Sequence, residues 1–249
     1  MDFGRHADHF AEQGYAVFED ALSPALLELL RSQCDAFVAR EDARMDAAGV
    51  DTLGISHRGK RYFANECQRE QPALRTMLFS PVMAEICRAT LGDTAYFFFD
   101  QYVVKGPDTG MAFSWHQDSG YVKHYGGPPD HAPYLTCWCP LDDATIENGT
   151  VRVIPGSHRD GILRHEKLEG ANDLAVRVSG EGVALEAKAG SVVAFASTLL
   201  HATGANRTAR PRRVYLAQYT PEAMLDPGTK QLRRNAIPLV QRGQQVTFG

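Results

Sequence analysis

From Thr94 onward the chain is a series of short runs of the kind that form β-strands, and this feature limits the possible folds most. Each run is rich in β-branched and aromatic residues and is bounded by Gly, Pro, Asn or Asp. The seven runs read TAYFFFDQYVV, MAFSWHQD, PYLTCWCPL, TVRVIP, GVALEA, SVVAFA and RVYLAQY. No long helical pattern lies between them, which argues against a parallel α/β sheet. We predict a mainly β fold, an antiparallel sandwich or barrel such as a jelly roll.

The first ninety or so residues are predicted to be mainly helical. Ser23-Pro24 and Ser80-Pro81 each precede a periodic apolar run, and a serine N-cap followed by proline is a typical helix start. The stretch 41–71 is polar with few periodic apolar positions, so we expect a long irregular segment that could fold over a site. No break in composition marks a second domain. The predicted organisation is one domain over 1–249, with a helical layer mainly within 1–92, a jelly-roll core at 94–220 and a tail at 221–249.

Composition limits the partners of the protein. The chain has 249 residues, 44% of them hydrophobic, which is enough for a sizeable core. A net charge of -4 and a pI of about 6.1 provide no general basic field for nucleic acid or an anionic membrane. The chain begins without a basic segment followed by an apolar core, and its five scattered cysteines favour reduced thiols. We expect a cytoplasmic monomer or homodimer that acts on a small molecule.

The sequence contains two His-x-Asp pairs, and only one of them suits a metal ion. His6 and Asp8 lie in a run of helical periodicity, where residues two apart point to nearly opposite sides. His116 and Asp118 lie in a strand-like run, where residues two apart face the same way. The second pair is therefore the candidate that can aim a nitrogen and an oxygen at one ion.

His201 offers a third ligand, because it follows an apolar strand and a polar connection and can lie on a neighbouring strand. Two histidines and one carboxylate on one face are typical of non-haem iron(II) oxygenases, and this set leaves coordination positions open for a cosubstrate and oxygen. Imidazole and carboxylate also suit zinc, so the ligand types alone leave a zinc site open.

A cluster of arginines follows His201 closely and comprises Arg207, Arg210, Arg212 and Arg213. Such a run is commonly a solvated surface, and we expect this for two of the four. A buried site for a dicarboxylate such as 2-oxoglutarate needs one arginine, because the planar guanidinium holds a carboxylate through two hydrogen bonds.

These stretches together resemble the phytanoyl-CoA dioxygenase-like branch of the iron(II)/2-oxoglutarate-dependent oxygenases. The resemblance rests on GYAVFEDALSP, WHQDSGY, WCPLDDATIENGTVRVIPGSH and HATGANRTARPRR, and it covers most of the chain up to about Tyr219. It implies a double-stranded β-helix, the jelly roll of the cupins, with helices packed on one sheet. It also implies an enzyme that uses Fe(II), 2-oxoglutarate and O2.

The resemblance implies the site residues as well. The family's metal ligands correspond to His116, Asp118 and His201. The family's cosubstrate arginine lies eleven positions after the distal histidine, which corresponds to Arg212, and this residue completes the predicted catalytic set. The other cosubstrate contacts implied by the resemblance are Thr203, Trp138 and Gln101.

The implied reaction is oxidation, above all hydroxylation, of an unactivated C–H bond in a small metabolite or natural-product intermediate, with release of succinate and CO2. Because Asp118 is present, hydroxylation is expected rather than the halogenation performed by relatives that lack this carboxylate. One alternative is a cupin-like metal enzyme without 2-oxoglutarate, such as an isomerase or a dioxygenase with direct substrate chelation, which would not need Arg212. Another alternative is a non-catalytic sandwich that binds its ligand without metal.

Overall fold

The structure, a computed structural model, describes residues 2–108, 112–167 and 174–247. Its α-helices are α1 (Phe3–Gln13), α2 (Pro24–Ala48), α3 (Arg75–Leu78), α4 (Pro81–Leu91) and α5 (Asp118–His124). Short 3-10 helices occupy Cys67–Arg69, Pro72–Leu74 and Ser157–Asp160. The strands are β1 (Tyr15–Phe18), β2 (Thr52–Leu53), β3 (Ser56–His57), β4 (Arg61–Asn65), β5 (Thr94–Lys105), β6 (Phe113–His116), β7 (Leu135–Pro140), β8 (Val151–Val153), β9 (Glu166–Lys167), β10 (Leu174–Ala175), β11 (Val183–Ala184), β12 (Val192–Ala196), β13 (His201–Thr203), β14 (Arg212–Thr220), β15 (Ile237–Gln241) and β16 (Gln244–Gln245).

The larger sheet has the strand order β1-β12-β7-β14-β5-β4-β3-β2, and β15 and β16 join it through β5. β5 is long enough to pair with β15 through its first half and with β4 through its second half. Strands from both ends of the chain therefore extend the sheet beyond the predicted range of 94–220. The smaller sheet has the order β11-β8-β13-β6, and all the pairings in both sheets are antiparallel.

Alternate residues of β14 show how the layers are arranged. Val214 and Leu216 pack in a cluster that contains residues of both sheets, whereas Tyr215 and Ala217 pack in a cluster that contains residues of α2 and α4. Because successive side chains of a strand point to opposite faces, the larger sheet carries the smaller sheet on one face and helices on the other. The predicted jelly roll with a helical layer is confirmed.

The helix starts are also as predicted. The Ser23 side chain accepts a hydrogen bond from the Leu26 backbone, and Pro24 is the first residue of α2. Ser80 does the same for α4, which begins at Pro81. Local capping chemistry therefore sets where both helices begin.

The predicted irregular segment over 41–71 is wrong. α2 continues to Ala48, and three short strands, β2, β3 and β4, follow it. Glu41 and Met45 are buried on the inner face of α2, and Arg44 covers Glu41 with an ion pair of 2.7 Å. Two buried positions four residues apart are enough to dock a helix turn, and strands of two to five residues are too short to show a period.

All five cysteines are free and buried, in agreement with the reduced thiols expected from their number and spacing. Cys137 and Cys139 lie in the core cluster beneath the helices. Within the described ranges, no helix has both the length and the apolar character that crossing a membrane requires.

Asp100 on β5 lets the stability of this core be tested. It is fully buried, and its Oδ2 accepts hydrogen bonds from the Tyr215 hydroxyl at 2.7 Å and the Gln68 backbone at 2.9 Å. Burial raises the pKa of Asp100 to about 6, although these hydrogen bonds oppose the shift. The folded state therefore holds this proton more tightly than the unfolded chain, and the resulting stability is full below about pH 4 and is lost as the pH rises through 6.

We expect Asp100→Asn to become more stable relative to the unsubstituted protein by roughly 1 kcal/mol between pH 5 and pH 7.5, because asparagine has no charge to desolvate. Urea unfolding at both pH values measures the change. Asp130→Asn, at an exposed carboxylate, serves as the control and should show no such relative change. A pH-independent difference between Asp100→Asn and the unsubstituted protein would contradict the assigned burial effect.

Candidate active site

The two candidate histidines lie opposite each other on neighbouring strands of the smaller sheet. In the β6–β13 pairing, His116 is directly in register with His201. Their rings are 4.1 Å apart between centroids, and His201 also packs against Phe195 at 4.6 Å. Antiparallel pairing thus brings together two side chains that are 85 positions apart in the sequence.

Asp118 does not lie on the same strand as His116. β6 ends at His116, and Asp118 is the first residue of α5. The predicted shared strand face is therefore wrong in detail, although the predicted convergence is right. The turn into α5 brings the Asp118 carboxylate back towards His116, and the partial positive charge at a helix start favours an anion there.

The three side chains form a compact group of possible metal ligands. Asp118 Oδ1 lies 3.5 Å from His201 Nε2 and 3.9 Å from His116 Nε2. The three candidate ligand atoms lie within 4.8 Å of one another, and among the described residues this is the cluster of His, Cys, Asp or Glu that could hold an ion. One metal ion can be reached by all three residues.

Hydrogen bonds fix the orientation of each ligand. The backbone oxygens of Ser114 and Leu199 can only accept, so Nδ1 of His116 and of His201 carries the proton and Nε2 presents a lone pair to the site. Asp118 Oδ2 accepts from Thr136 Oγ1 at 2.5 Å and Gln218 Nε2 at 3.1 Å, which leaves Oδ1 for an ion. Such outer partners set the tautomer and the ligand direction in metal sites.

Protonation also suits metal binding. Burial, together with the neighbouring His201, lowers the pKa of His116 to about 3. Burial alone would raise the pKa of Asp118, but the adjacent histidines and the Thr136 hydrogen bond outweigh it and lower the pKa to about 2. At neutral pH His116 therefore offers a neutral imidazole and Asp118 an ionised carboxylate, the forms that coordinate a cation.

Arg212 lines the same cavity as these ligands, a space of about 810 Å³. It is the first residue of β14, is only 1% exposed, and lies over the Trp138 ring at 5.3 Å from the centroid. Its Nε and Nη2 donate no hydrogen bond within the described part of the chain. Burial lowers the pKa of Arg212 to about 10, which Asp142 opposes. A buried cation with two unused donors indicates an anionic ligand.

The other arginines of the basic cluster have different surroundings. Arg207 and Arg210 are exposed, as predicted for two of the four. Arg213 forms ion pairs of 2.7 Å with Asp142 and 2.8 Å with Asp35. Because successive residues of β14 point to opposite faces, Arg212 enters the cavity while Arg213 points away from it.

The three remaining predicted residues, Thr203, Trp138 and Gln101, also line the cavity. Trp138 supports the Arg212 guanidinium, as described above. The Thr203 hydroxyl accepts a hydrogen bond from Lys105 Nζ at 2.6 Å. Direct contact of these residues with a cosubstrate stays a prediction.

Lys105 was not identified from the sequence. It is fully buried at the end of β5, is in register with Arg212, and also donates to the Gly204 backbone oxygen at 2.8 Å. Its Nζ lies 4.6 Å from the centre of the Phe113 ring. A lysine before Gly-Pro at a strand end usually points to solvent, so the sequence carries no clear signal for this burial.

Gln117, between the two ligands on β6 and α5, ties them to two distant loops. Its side chain donates to the backbone oxygens of Gly161 at 2.8 Å and Thr198 at 2.5 Å, and accepts from the Leu163 backbone at 2.8 Å. Its own backbone N–H donates to His165 Nε2 at 2.8 Å. The buried amide thus holds the ligand-bearing segment in place.

We expect Gln117→Leu to lower the free energy of unfolding by about 2–4 kcal/mol, because the buried Thr198 backbone oxygen and two less buried backbone groups, those of Gly161 and Leu163, lose their partner. Thermal and urea unfolding of the purified variant measure the loss. Gln241→Leu, at an exposed position on β15, is the control and should change stability little. Equal stability of Gln117→Leu and the control would contradict this role.

The first His-x-Asp pair is confirmed as unrelated to the site. His6 and Asp8 lie on α1, where His6 stacks on Phe18 at 4.5 Å and its Nε2 donates to the Val17 backbone oxygen at 3.0 Å. Asp8 is exposed. His6 thus packs α1 against β1.

Comparison with protein families gives a match to the phytanoyl-CoA dioxygenase (PhyH) model over residues 10–214. Among characterised relatives, L-proline trans-4-hydroxylase from Streptomyces griseoviridis is 33% identical over 162 residues, which cover 56% of this chain and 59% of the relative. Ectoine dioxygenase from Sphingopyxis alaskensis is 29% identical over 225 residues, which cover 84% of this chain and 72% of the relative. The match thus spans less than two thirds of the proline hydroxylase.

Solved structures show the same fold. EctD from S. alaskensis, determined with 2-oxoglutarate and 5-hydroxyectoine, superposes with a TM-score of 0.70 at 26% identity, covering 96% of this chain and 86% of that one. EvdO2 from Micromonospora carbonacea var. aurantiaca, complexed with 2-oxoglutarate, gives a TM-score of 0.69 at 22% identity, covering 91% and 94%. The second likeness supports the fold alone.

Proposed function

Because the chain belongs to the phytanoyl-CoA dioxygenase family, we propose that it is a non-haem Fe(II)/2-oxoglutarate-dependent dioxygenase. We propose hydroxylation of an unactivated C–H bond in a small metabolite or natural-product intermediate as its reaction. The observation that carries the proposal is the buried Arg212, whose unused donors line the same cavity as the His-Asp-His group. The small-molecule substrates named for the proline and ectoine relatives agree with it.

The residues of the site suit both iron(II) and 2-oxoglutarate. Two neutral imidazole nitrogens and one carboxylate oxygen are the donor set suited to iron(II), and a three-residue set leaves positions for other ligands. The free Nε and Nη2 of Arg212 suit a carboxylate, which a guanidinium binds through two parallel hydrogen bonds. When bound, iron(II) with 2-oxoglutarate and O2 supplies the oxidation of a C–H bond, with release of succinate and CO2.

The chain itself positions these components. His116, Asp118 and His201 would hold the metal, and the hydrogen bonds from Thr136 and Gln218 to Asp118 Oδ2 leave Oδ1 available for it. Arg212, which lies over the Trp138 ring, would hold the distal carboxylate of 2-oxoglutarate. Apolar side chains around this space keep water away from the reacting centre and strengthen the ion pair; those that line the cavity include Phe113, Val151, Phe195 and Leu216.

Arg212 also separates this proposal from the cupin-like alternative. A metal enzyme that chelates its substrate directly has no use for a buried guanidinium, whose desolvation costs stability unless a partner anion binds. A metal-free sandwich would likewise have no use for the converging His116, Asp118 and His201. With Asp118 present as a ligand, iron-dependent chlorination is not expected, and its observation would contradict the proposed hydroxylation.

Anaerobic absorption spectroscopy tests the proposal. Iron(II) is added to the metal-free protein, followed by 2-oxoglutarate, and the weak visible charge-transfer band of the chelate is recorded. We expect the band to appear, and to be absent in His116→Ala. Iron binding without the band would favour the cupin-like alternative, and no binding of divalent metal would favour the metal-free sandwich.

A further inference from the structure

The outer wall of the cavity is formed by the segment that follows β14. Its cavity-lining residues include Asp226, Leu232, Arg233 and Arg234. This segment lies beyond residues 10–214, the range matched by the family model. It therefore belongs to the part of the site in which this chain can differ from its relatives, and its chemistry bears on the choice of substrate.

Aromatic side chains lead from the metal ligands towards this wall. Tyr121 contacts the His116 ring edge-on at 5.3 Å and stacks on Tyr125 at 6.5 Å with an interplanar angle of 18°. On another side, Phe98 packs against Tyr134 at 5.4 Å. These rings line the cavity and give its middle section an apolar surface suited to the carbon skeleton of a substrate.

Two arginines end this apolar surface. Arg233 Nη2 donates to the Tyr125 backbone oxygen at 2.7 Å, and the Arg234 guanidinium lies 4.7 Å from the centre of the Phe99 ring. Among the described residues, the carboxylates that pair with them are Asp226, 3.9 Å from Arg233, and Glu66, 3.6 Å from Arg234. Neither separation is a hydrogen-bond distance, so both guanidinium groups keep donors for a ligand anion.

The net charge of the cavity also favours an anionic ligand. Among the described residues that line it, four are arginines, Arg61, Arg212, Arg233 and Arg234, and two are aspartates, Asp118 and Asp226. The side chains therefore carry a net charge of +2. Iron(II) and the 2-oxoglutarate dianion cancel each other, so the loaded cavity keeps this positive charge. Even with Glu66 counted at the rim, the cavity retains an excess of +1.

We propose that the substrate is an amphipathic organic anion. Its carboxylate or phosphate binds Arg233 and Arg234, and its apolar, ring-sized body lies along Phe98, Tyr121 and Tyr134 with the oxidised carbon at the metal end. This assignment rests on the proposed function, because the orientation is defined by the iron site. It makes Arg233 and Arg234 specificity-determining residues.

Binding of a matched pair of dyes to the enzyme loaded anaerobically with iron(II) and saturating 2-oxoglutarate tests the assignment. 8-Anilino-1-naphthalenesulfonate is an aromatic anion, and N-phenyl-1-naphthylamine has the same ring skeleton without the sulfonate. Because 2-oxoglutarate occupies Arg212, the sulfonate must use other cations. We expect the anion to bind at least roughly tenfold more tightly than the neutral dye.

Substitutions test whether Arg233 and Arg234 cause the preference for the anionic dye. Arg233→Gln/Arg234→Gln should remove it while leaving the affinity of the neutral dye unchanged, and Arg210→Gln, at an exposed arginine of the basic cluster, should keep it. Displacement of the bound anion by 2-naphthoate or by 2-naphthyl phosphate then distinguishes a carboxylate from a phosphate, with 2-naphthamide as the neutral control. Retention of the preference in the double variant, or equal affinity of the two dyes, would overturn the proposal.

The charge-transfer band recorded on the same samples keeps the two proposals separate. A band without any anion preference refutes the substrate class alone. Absence of the band in the unsubstituted protein refutes the proposed function, on which the orientation of the substrate depends. If the double variant does not show the band, dye binding is measured in the single variants Arg233→Gln and Arg234→Gln instead. Full retention of the preference for the anionic dye in both single variants would count against the proposal.

Discussion

Replacing Arg212 with methionine is expected to raise the 2-oxoglutarate concentration needed for half-maximal turnover by roughly 30- to 5,000-fold. Removing one partner of a buried charge pair costs about 2–5 kcal/mol, because the other charge stays buried without a counter-ion. Methionine keeps most of the volume against Trp138, so the effect reports the lost guanidinium rather than a cavity. Succinate formation, measured as a function of 2-oxoglutarate concentration, checks the result.

The same variant should be more stable than the unsubstituted protein when no ligand is bound. Burial lowers the pKa of Arg212 to about 10, so the folded state holds this proton less tightly than the unfolded chain does. The resulting destabilisation is fully present at every pH below about 10. Removing this buried cation, which forms no ion pair with the residues that the structure describes, should raise the free energy of unfolding by about 1–3 kcal/mol. The stabilisation of the folded state by added 2-oxoglutarate should disappear at the same time.

Arg210→Met, two positions earlier and exposed, is the control for both measurements and should leave them unchanged. If Arg212→Met used 2-oxoglutarate as well as this control, the cupin-like alternative would replace the proposed function. A more stable variant that no longer responds to 2-oxoglutarate would instead show that Arg212 is retained for binding at the expense of stability.

Asp118→Asn is expected to weaken iron(II) binding by about 100-fold or more and to lower turnover by at least the same factor. Loss of a residue that only supports a ligand reduces metal affinity by about 10- to 100-fold, and loss of a charged ligand must reduce it further. Asparagine keeps an oxygen that can accept the hydrogen bond from Thr136. The local fold should therefore survive, and the change isolates the carboxylate charge.

Anaerobic iron(II) titration and succinate release measure this effect. The other His-x-Asp pair provides a matched control, because Asp8→Asn makes the same chemical change at an exposed position on α1 and should alter neither quantity. Unchanged iron affinity in Asp118→Asn would remove Asp118 from the ligand set. It would also withdraw the argument that favours hydroxylation over halogenation.

The predictions that held depended on short-range chemistry. The run of strands from Thr94 and the serine-proline helix starts are written in a few adjacent residues, and the structure has them where they were expected. The failure over 41–71 has the opposite cause. The end of α2, with its two buried positions, and the three very short strands are stabilised by the distant segments they pack against, not by their local sequence.

The site shows the same division. Residue types and the resemblance identified His116, Asp118, His201 and Arg212, and the structure places all four around one cavity. The position of Asp118 on a helix rather than on a strand was missed, because so short a sequence pattern is compatible with both a strand and the first turn of a helix. Lys105 was missed because its burial comes from β4 and β14 on either side of it.

By itself, the sequence determined the class of fold, the helix starts and the donor types of the candidate metal ligands, because strand propensity, capping and donor type belong to individual residues and their neighbours. Only the tertiary structure decided that Arg212 is buried with two donors unused within the described residues while Arg213 is paired, and that Arg233 and Arg234 line the same cavity as the candidate metal ligands. Burial and charge balance depend on the register of strands and on loops far apart in the chain. No local pattern of residues encodes them.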